Sequence, residues 1–297
     1  MKIAVLVLGF LTGSLTYGEV KVSNQKNYFL SPHLDDVVLT FGGLILTGEF
    51  QEKKNEVIVY FGLSNYTANG PHDDSSDARV EYVSSTRMRE DHSALTQIFG
   101  GWANYTYTLH ASREATLRFF TGPKNAGGGA SGDFSSFRQI EIDAFEDLQD
   151  KIRPILKQKD CSVFVLASVG SHIDHFLVRE AVIKTASNLG DKAQCQIYFG
   201  EDQPYTGSNP EAADQDLQSL VKRLNLEAMQ YSIPVEKKVS AFKSNYFSQY
   251  EDSYIKGLEG RAHALKNGEQ IYKWPRNHYA KAPKHSSCKT KFCAYSK

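Results

Sequence analysis

The sequence predicts an α/β fold in which a mainly parallel sheet is covered by helices on both faces. Short apolar runs alternate with longer stretches of helical spacing along the chain. Most of the runs are continuously apolar rather than alternating, as strands buried on both faces require. No domain-sized linker or internal repeat interrupts the pattern. With 297 residues, 41% of them hydrophobic and 23% charged, the chain has the composition of an ordinary globular protein and can bury a large core.

The elements follow in order. Residues 27–30 form an apolar strand, and 37–46 begin a helix in which Gly42 and Gly43 permit close packing. Residues 57–62 make a second strand. Residues 79–99 have helix length, with Val83, Leu95 and Ile98 on one broad stripe. Residues 105–109 form a short alternating strand, and 137–156 an amphipathic helix through Ile140, Phe145, Leu148, Ile152 and Leu156. Residues 163–167 are a continuous apolar strand; 177–189 a helix, 197–199 a strand and 217–229 a helix complete the pattern. Segments 65–77 and 122–133 read as insertions or rim loops. The second contains Gly127-Gly-Gly-Ala-Ser-Gly132, which formally satisfies G-x-G-x-x-G, but no strand leads into it, so it is not read as a dinucleotide site. His72-Asp73-Asp74 lies in a polar loop and reads as surface.

Two short stretches carry chemistry. Ser31-Pro32-His33-Leu34-Asp35-Asp36 follows the first strand and leads into a helix. One turn there aims His33 and Asp36 at the same ion and leaves Asp35 free to hold a water. Ser171-His172-Ile173-Asp174-His175 follows the strand at 163–167. Each stretch alone is explained by turn and cap preferences. Together they place His and Asp at the ends of two strands, where open α/β sheets bind ligands. That pattern suggests a three-ligand site with an open position, the arrangement of a catalytic zinc.

His33-Leu34-Asp35-Asp36 resembles the His-Pro-Asp-Asp signature of the N-acetylglucosaminyl-phosphatidylinositol de-N-acetylase family (PIG-L, or LmbE-like), and His172-Ile173-Asp174-His175 resembles its downstream His-x-Asp-His. Arg87-Met88-Arg89-Glu90 is similar to the family's Arg-x-x-Glu helix, and Tyr198 to Tyr205 to the Tyr-Glu-Asp-x-Pro-Tyr strand end of some members. Lys243, Tyr246, Ser248 and Gln249 match a late element loosely. The resemblance covers residues 27–250. It implies a Rossmann-like three-layer sandwich, zinc held by His33, Asp36 and His175, and removal of acetyl from an N-acetylated amino sugar or its conjugate. Asp35 would be the general base. His172 would polarise the carbonyl, with Asp174 orienting and charging its ring. Arg87, Arg118, Asp202 and Tyr205 are the residues expected to contact substrate, with a structural role open for both arginines. Two positions depart from the family: its usual glutamate after the Asp pair is Val37, and its proline is Leu34.

Other readings stay open. An O-deacetylase or other esterase uses the same activated water, a sugar-binding module with a residual metal site accommodates Val37, and another divalent metal accepts nitrogen and oxygen ligands. A structural zinc fits poorly, since such sites are four-coordinate and rich in cysteine. Lysine plus arginine equals aspartate plus glutamate, 34 each, so no global field recruits nucleic acid or an anionic membrane.

Residues 1–18 read as a signal peptide: Lys2 precedes an apolar core at 3–15, and Thr16-Tyr17-Gly18 offers small residues for cleavage. The expected organisation is a signal peptide at 1–18, a deacetylase domain at 19–280 and a basic tail at 281–297. The mature protein would be periplasmic or secreted, without a stable membrane span. In an oxidising compartment the first pairing for the four cysteines is Cys161 with Cys195 and Cys288 with Cys293. Asn65-Tyr-Thr and Asn104-Tyr-Thr are glycosylation sequons, meaningful only in a eukaryotic host.

Overall fold

The computed structural model describes residues 26–68, 70, 73–118, 137–169 and 172–282. The expected signal peptide, the glycine-rich run at 127–132, His72 and the 288–293 cysteine pair lie outside them. One seven-stranded sheet organises the described chain: β1 (Lys26–Ser31), β2 (Asn55–Val59), β3 (Thr106–Leu109), β4 (Cys161–Leu166), β5 (Gln196–Gly200), β6 (Glu227–Ser232) and β7 (Gly268–Trp274). Its spatial order is β3-β2-β1-β4-β5-β7-β6. The first five strands run parallel, and β7 is antiparallel to both β5 and β6. The fold is therefore the Rossmann-like α/β sandwich expected, with an antiparallel addition at one edge.

Nine α-helices cover the sheet among the described residues: α1 (Asp36–Ile45), α2 (Asp77–Phe99), α3 (Ala115–Arg118), α4 (Gln139–Leu156), α5 (Ile173–Leu189), α6 (Tyr205–Ser208), α7 (Pro210–Leu224), α8 (Val235–Asn245) and α9 (Asp252–Ala264). Side chains alternate across the central strands, so both faces acquire an apolar core. Tyr28, Leu30, Val163 and Val165 meet α4, α5 and α7 on one face. Phe29, Phe164 and Leu166 meet α1, α2, α8 and α9 on the other. Phe29 and Phe164 stack at 4.9 Å and bind β1 to β4 beneath the site. Among the described residues no helix is long and apolar enough to cross a membrane.

Local chemistry sets the element ends. Ser76 caps α2 by accepting from the Arg79 backbone N–H, and Gly100 closes it at φ 74°. At Gly43 an added Cβ would lie 2.5 Å from Ile233 Cδ1, so the close packing expected of the glycine pair belongs to Gly43. Cys161 opens β4 and Cys195 immediately precedes β5, and their sulfurs are bonded as expected. Closing a loop of 34 positions restrains the unfolded chain by about 3–4 kcal/mol.

One expected element is corrected. Residues 217–229 do not form a single helix: α7 ends at Leu224, Asn225 turns left-handed at φ 53°, and β6 follows. The helix Arg79 was expected to open begins at Asp77, and the one expected from residue 177 begins at Ile173, within the second motif.

Candidate metal centre

β1 and β4 are sheet neighbours whose following helices lie on opposite faces, which makes the gap beyond their C-terminal ends the switch point of the sheet. Both motifs open there. Asp35 is the N-cap residue of α1, with Asp36 in its first turn; Asp36 Oδ2 accepts the His33 backbone N–H at 2.7 Å, which folds the turn onto itself. His172 is the N-cap residue of α5, and its Nδ1 accepts the Asp174 backbone N–H at 3.2 Å.

These turns bring three residues into a triangle, His33 and His175 through one nitrogen each and Asp36 through both of its carboxylate oxygens. His33 Nδ1 and His175 Nε2 are 3.1 Å apart; Asp36 Oδ2 is 3.3 Å from the first and Asp36 Oδ1 is 3.3 Å from the second. Zinc bonded at 2.0–2.1 Å in a tetrahedron separates its ligands by about 3.3–3.4 Å, so His33, Asp36 and His175 fit such an ion. A grouping of histidines alone, His33, His172 and His175, also places its nitrogen atoms within 4.8 Å of one another. The triangle with Asp36 is tighter and supplies a charged oxygen. Since His172 Nδ1 accepts a hydrogen bond, a neutral His172 carries its proton on Nε2 and is a donor.

Each histidine of the triangle is held by a buried carboxylate through its other nitrogen. His33 Nε2 lies 2.9 Å from Asp174 Oδ2, and His175 Nδ1 lies 3.1 Å from Asp202 Oδ2. The expected roles of two residues change accordingly. The Asp174 carboxylate reaches His33 rather than His172, and it touches His172 only through its backbone N–H. Asp202, fully buried, supports His175 and accepts the Ser168 N–H instead of lining the pocket. Of the two roles open for Arg118, substrate contact and structural support, its contacts give the structural one. Its guanidinium donates to Asp174 Oδ1 and to the Arg113 carbonyl and lies behind the pocket wall.

The charges are strongly perturbed. Burial opposes the charge on His33, but hydrogen bonds to Asp174 and Asp36 lift it to about 10. Burial would raise Asp36, yet His175 and His33 hold it well below the usual carboxylate range. Asp174 is likewise held low against burial, first by Arg118. Burial drives His172 well below its ordinary value, with His33 and His175 adding to the effect. Burial and the neighbouring Asp36 push Asp35 up to about 6. A centre with this many carboxylates around imidazoles favours a cation.

Beside the triangle lies a pocket of about 220 Å³, walled by Asp35, Arg87, Glu114, His172, Tyr205 and Tyr254 among others. Arg87 spans it from behind, with Nη1 donating to Ser64 Oγ at 2.7 Å and to Glu114 Oε2 at 3.0 Å, and Nη2 3.8 Å from Asp35 Oδ1. Tyr205 stands edge-on to His175, ring centres 6.0 Å apart. Glu114, Tyr66 and Tyr254 line the pocket without having stood out in the sequence. Val37 is buried in the apolar core, so no acid takes the place of the family's usual glutamate at that position.

No family model matches the chain, and no curated protein sequence matches it significantly. Solved structures do share its fold. The zinc-inhibited form of teicoplanin deacetylase Orf2 is 20% identical, with a TM-score of 0.59 over 84% of this chain and 97% of its own. The A40926 pseudoaglycone deacetylase Dbv21 is 19% identical, with a TM-score of 0.55 over 86% and 98%. A deacetylase–teicoplanin complex gives 18% identity and a TM-score of 0.53 over 84% and 98%. At these identities the likeness shows a common α/β fold.

Proposed function

We propose that this chain is an exported, zinc-dependent hydrolase of amide C–N bonds that removes acetyl from an N-acetylated amino sugar or its conjugate. The observation that carries the proposal is the triangle of His33, Asp36 and His175 with Asp35 on the adjoining pocket wall. The shared fold of several solved deacetylases supports it, one of them described as a zinc-inhibited form.

His33, Asp36 and His175 would hold the ion. When bound, it lowers the pKa of water from about 15.7 toward 7 and polarises a carbonyl oxygen. Asp35 accepts a proton from the attacking water as the oxygen bonds to the acetyl carbon. Its position beside Asp36 and Arg87 suits a base that is largely ionised at neutral pH yet able to hold a proton. Asp35 then returns that proton to the sugar nitrogen as the C–N bond breaks, leaving acetate and a free amine. His172 donates through Nε2 to the carbonyl oxygen as negative charge develops there. Tyr205 and Tyr254 line the pocket the sugar would enter, and burial keeps both hydroxyls protonated.

The Cys161–Cys195 bond and the apolar run at 3–15 support export. Recovery of the chain outside the cytoplasm with its first residues removed would support that part; an uncleaved cytoplasmic chain would overturn it. The chemistry is tested by comparing acetate release from matched N-acetyl and O-acetyl sugars. Preferential release from the N-acetyl sugar is expected. Faster release from the O-acetyl sugar would make the chain an esterase, and release from neither would remove the substrate assignment.

A further inference from the structure

We propose that Arg118 is a positioning residue for the metal, locking the carboxylate that sets the orientation of His33. This rests on the reading of His33, Asp36 and His175 as metal ligands, but it does not depend on which bond the enzyme cleaves.

Asp174 has no exposed surface, and its two oxygens are divided between two duties. Oδ2 lies 2.9 Å from His33 Nε2 and accepts the Ala115 N–H at 2.7 Å. Oδ1 is taken by Arg118. Ala115 and Arg118 are the two ends of α3, so one helical turn grips the carboxylate through a backbone N–H and a guanidinium. Arg118 is itself fixed. Its Nη1 donates to the Arg113 carbonyl at 2.6 Å, its guanidinium carbon lies 4.7 Å over the Phe61 ring, and Glu141 approaches its Nε at 3.9 Å. Its side chain is 4% exposed, like that of Arg87, but unlike Arg87 it does not line the pocket.

The consequence reaches the ligand triangle through His33. An imidazole that donates from Nε2 to Asp174 presents an unprotonated Nδ1, the atom facing His175 and Asp36. Without Arg118, Oδ1 would lose its charged donor, and a buried carboxylate short of partners rotates or draws in water. His33 would then lose the contact that fixes both its ring orientation and its tautomer. The guanidinium fork suits this task better than an ammonium, because it can bond a carboxylate and a carbonyl at once.

Zinc affinity is measured by competition with a chromophoric chelator for the wild type, Arg118→Lys and Arg118→Ala, each checked for folding by circular dichroism. Arg118→Ala is expected to weaken zinc binding about 10–100-fold, and Arg118→Lys to recover part of that loss. A folded Arg118→Ala that binds zinc as tightly as the wild type would overturn the proposal, even if its melting temperature fell. Should Arg118→Ala fail to fold, Arg118→Lys decides, with weakened affinity expected and unchanged affinity contradicting. A wild type that binds zinc but releases no acetate would remove the deacetylase reading and leave this inference intact.

Discussion

The turn after β1 sends both of its carboxylates toward the centre, whereas the turn after β4 sends its histidines there and its carboxylate away. Asp36 joins the ligand triangle and Asp35 faces the pocket; His175 joins the triangle and His172 the pocket, while Asp174 reaches behind to His33. Similar short His/Asp stretches thus do different work. The difference comes from where each helix begins. In the first turn, Asp36 is held against the His33 backbone N–H. In the second, α5 already starts at Ile173, so Asp174 and His175 diverge by about 100° around the helix. Residue types in a motif indicate the chemistry of a site; the backbone assigns the roles.

The largest effects are expected at the triangle. Asp36→Ala should remove zinc binding and bring acetate release down to background, measured by metal analysis and amine detection. Retained zinc would mean that the histidine grouping with His172 is the true ligand set. His172→Ala should keep its zinc and lose about 10²–10³ in kcat, as removal of one oxyanion donor does. Loss of zinc from that variant would again move His172 into the ligand set. A smaller effect is expected from Asp174→Asn, with zinc affinity down about 10–100-fold in a folded protein. A kcat loss at saturating zinc with unchanged affinity would instead give Asp174 the role toward His172 that the family resemblance implies.

The smallest effect concerns the acids behind the two turns. Asp174 is held ionised by Arg118 and His33, whereas Asp91 has two tyrosine hydroxyls as neighbours, Tyr107 at 2.8 Å and Tyr246 at 2.7 Å. Burial, opposed by those two hydrogen bonds, pushes Asp91 up to about 7. The folded chain then holds this proton more tightly than the unfolded chain, so stability falls as pH rises from about 4 to 7. Asp91→Asn should flatten that slope by on the order of 1–3 kcal/mol, seen in denaturant melts at pH 5 and pH 8. An unchanged slope would mean that Asp91 is ionised in the folded protein.

The parallel part of the sheet was legible in the sequence because β1, β2, β4 and β5 are continuous apolar runs buried on both faces. The Cys161–Cys195 pair was legible because both residues border such runs on neighbouring strands. The antiparallel edge was not. β6 is half exposed, with only Met229 buried, and its residues continue the spacing of α7 until Asn225 breaks it. At the site, the four residues of the triangle and base stood out as motifs. Arg118 was a candidate for either substrate contact or structural support, and Asp202 for the pocket because it follows the Tyr198 strand, yet each stands behind one histidine. Glu114 gave no signal: it is a single acid in a polar stretch, and its partner Arg87 lies 27 positions away.

In the proposed mechanism His33, Asp36 and His175 hold a catalytic ion beside Asp35 as base. The most direct measurement is zinc content together with acetate release from N-acetylglucosamine oligomers, for the wild type and Asp35→Asn. About one zinc per chain is expected in both proteins, with a loss of about 10²–10⁴ in turnover in the variant. A wild type without zinc, or an Asp35→Asn variant with undiminished turnover, would contradict that mechanism.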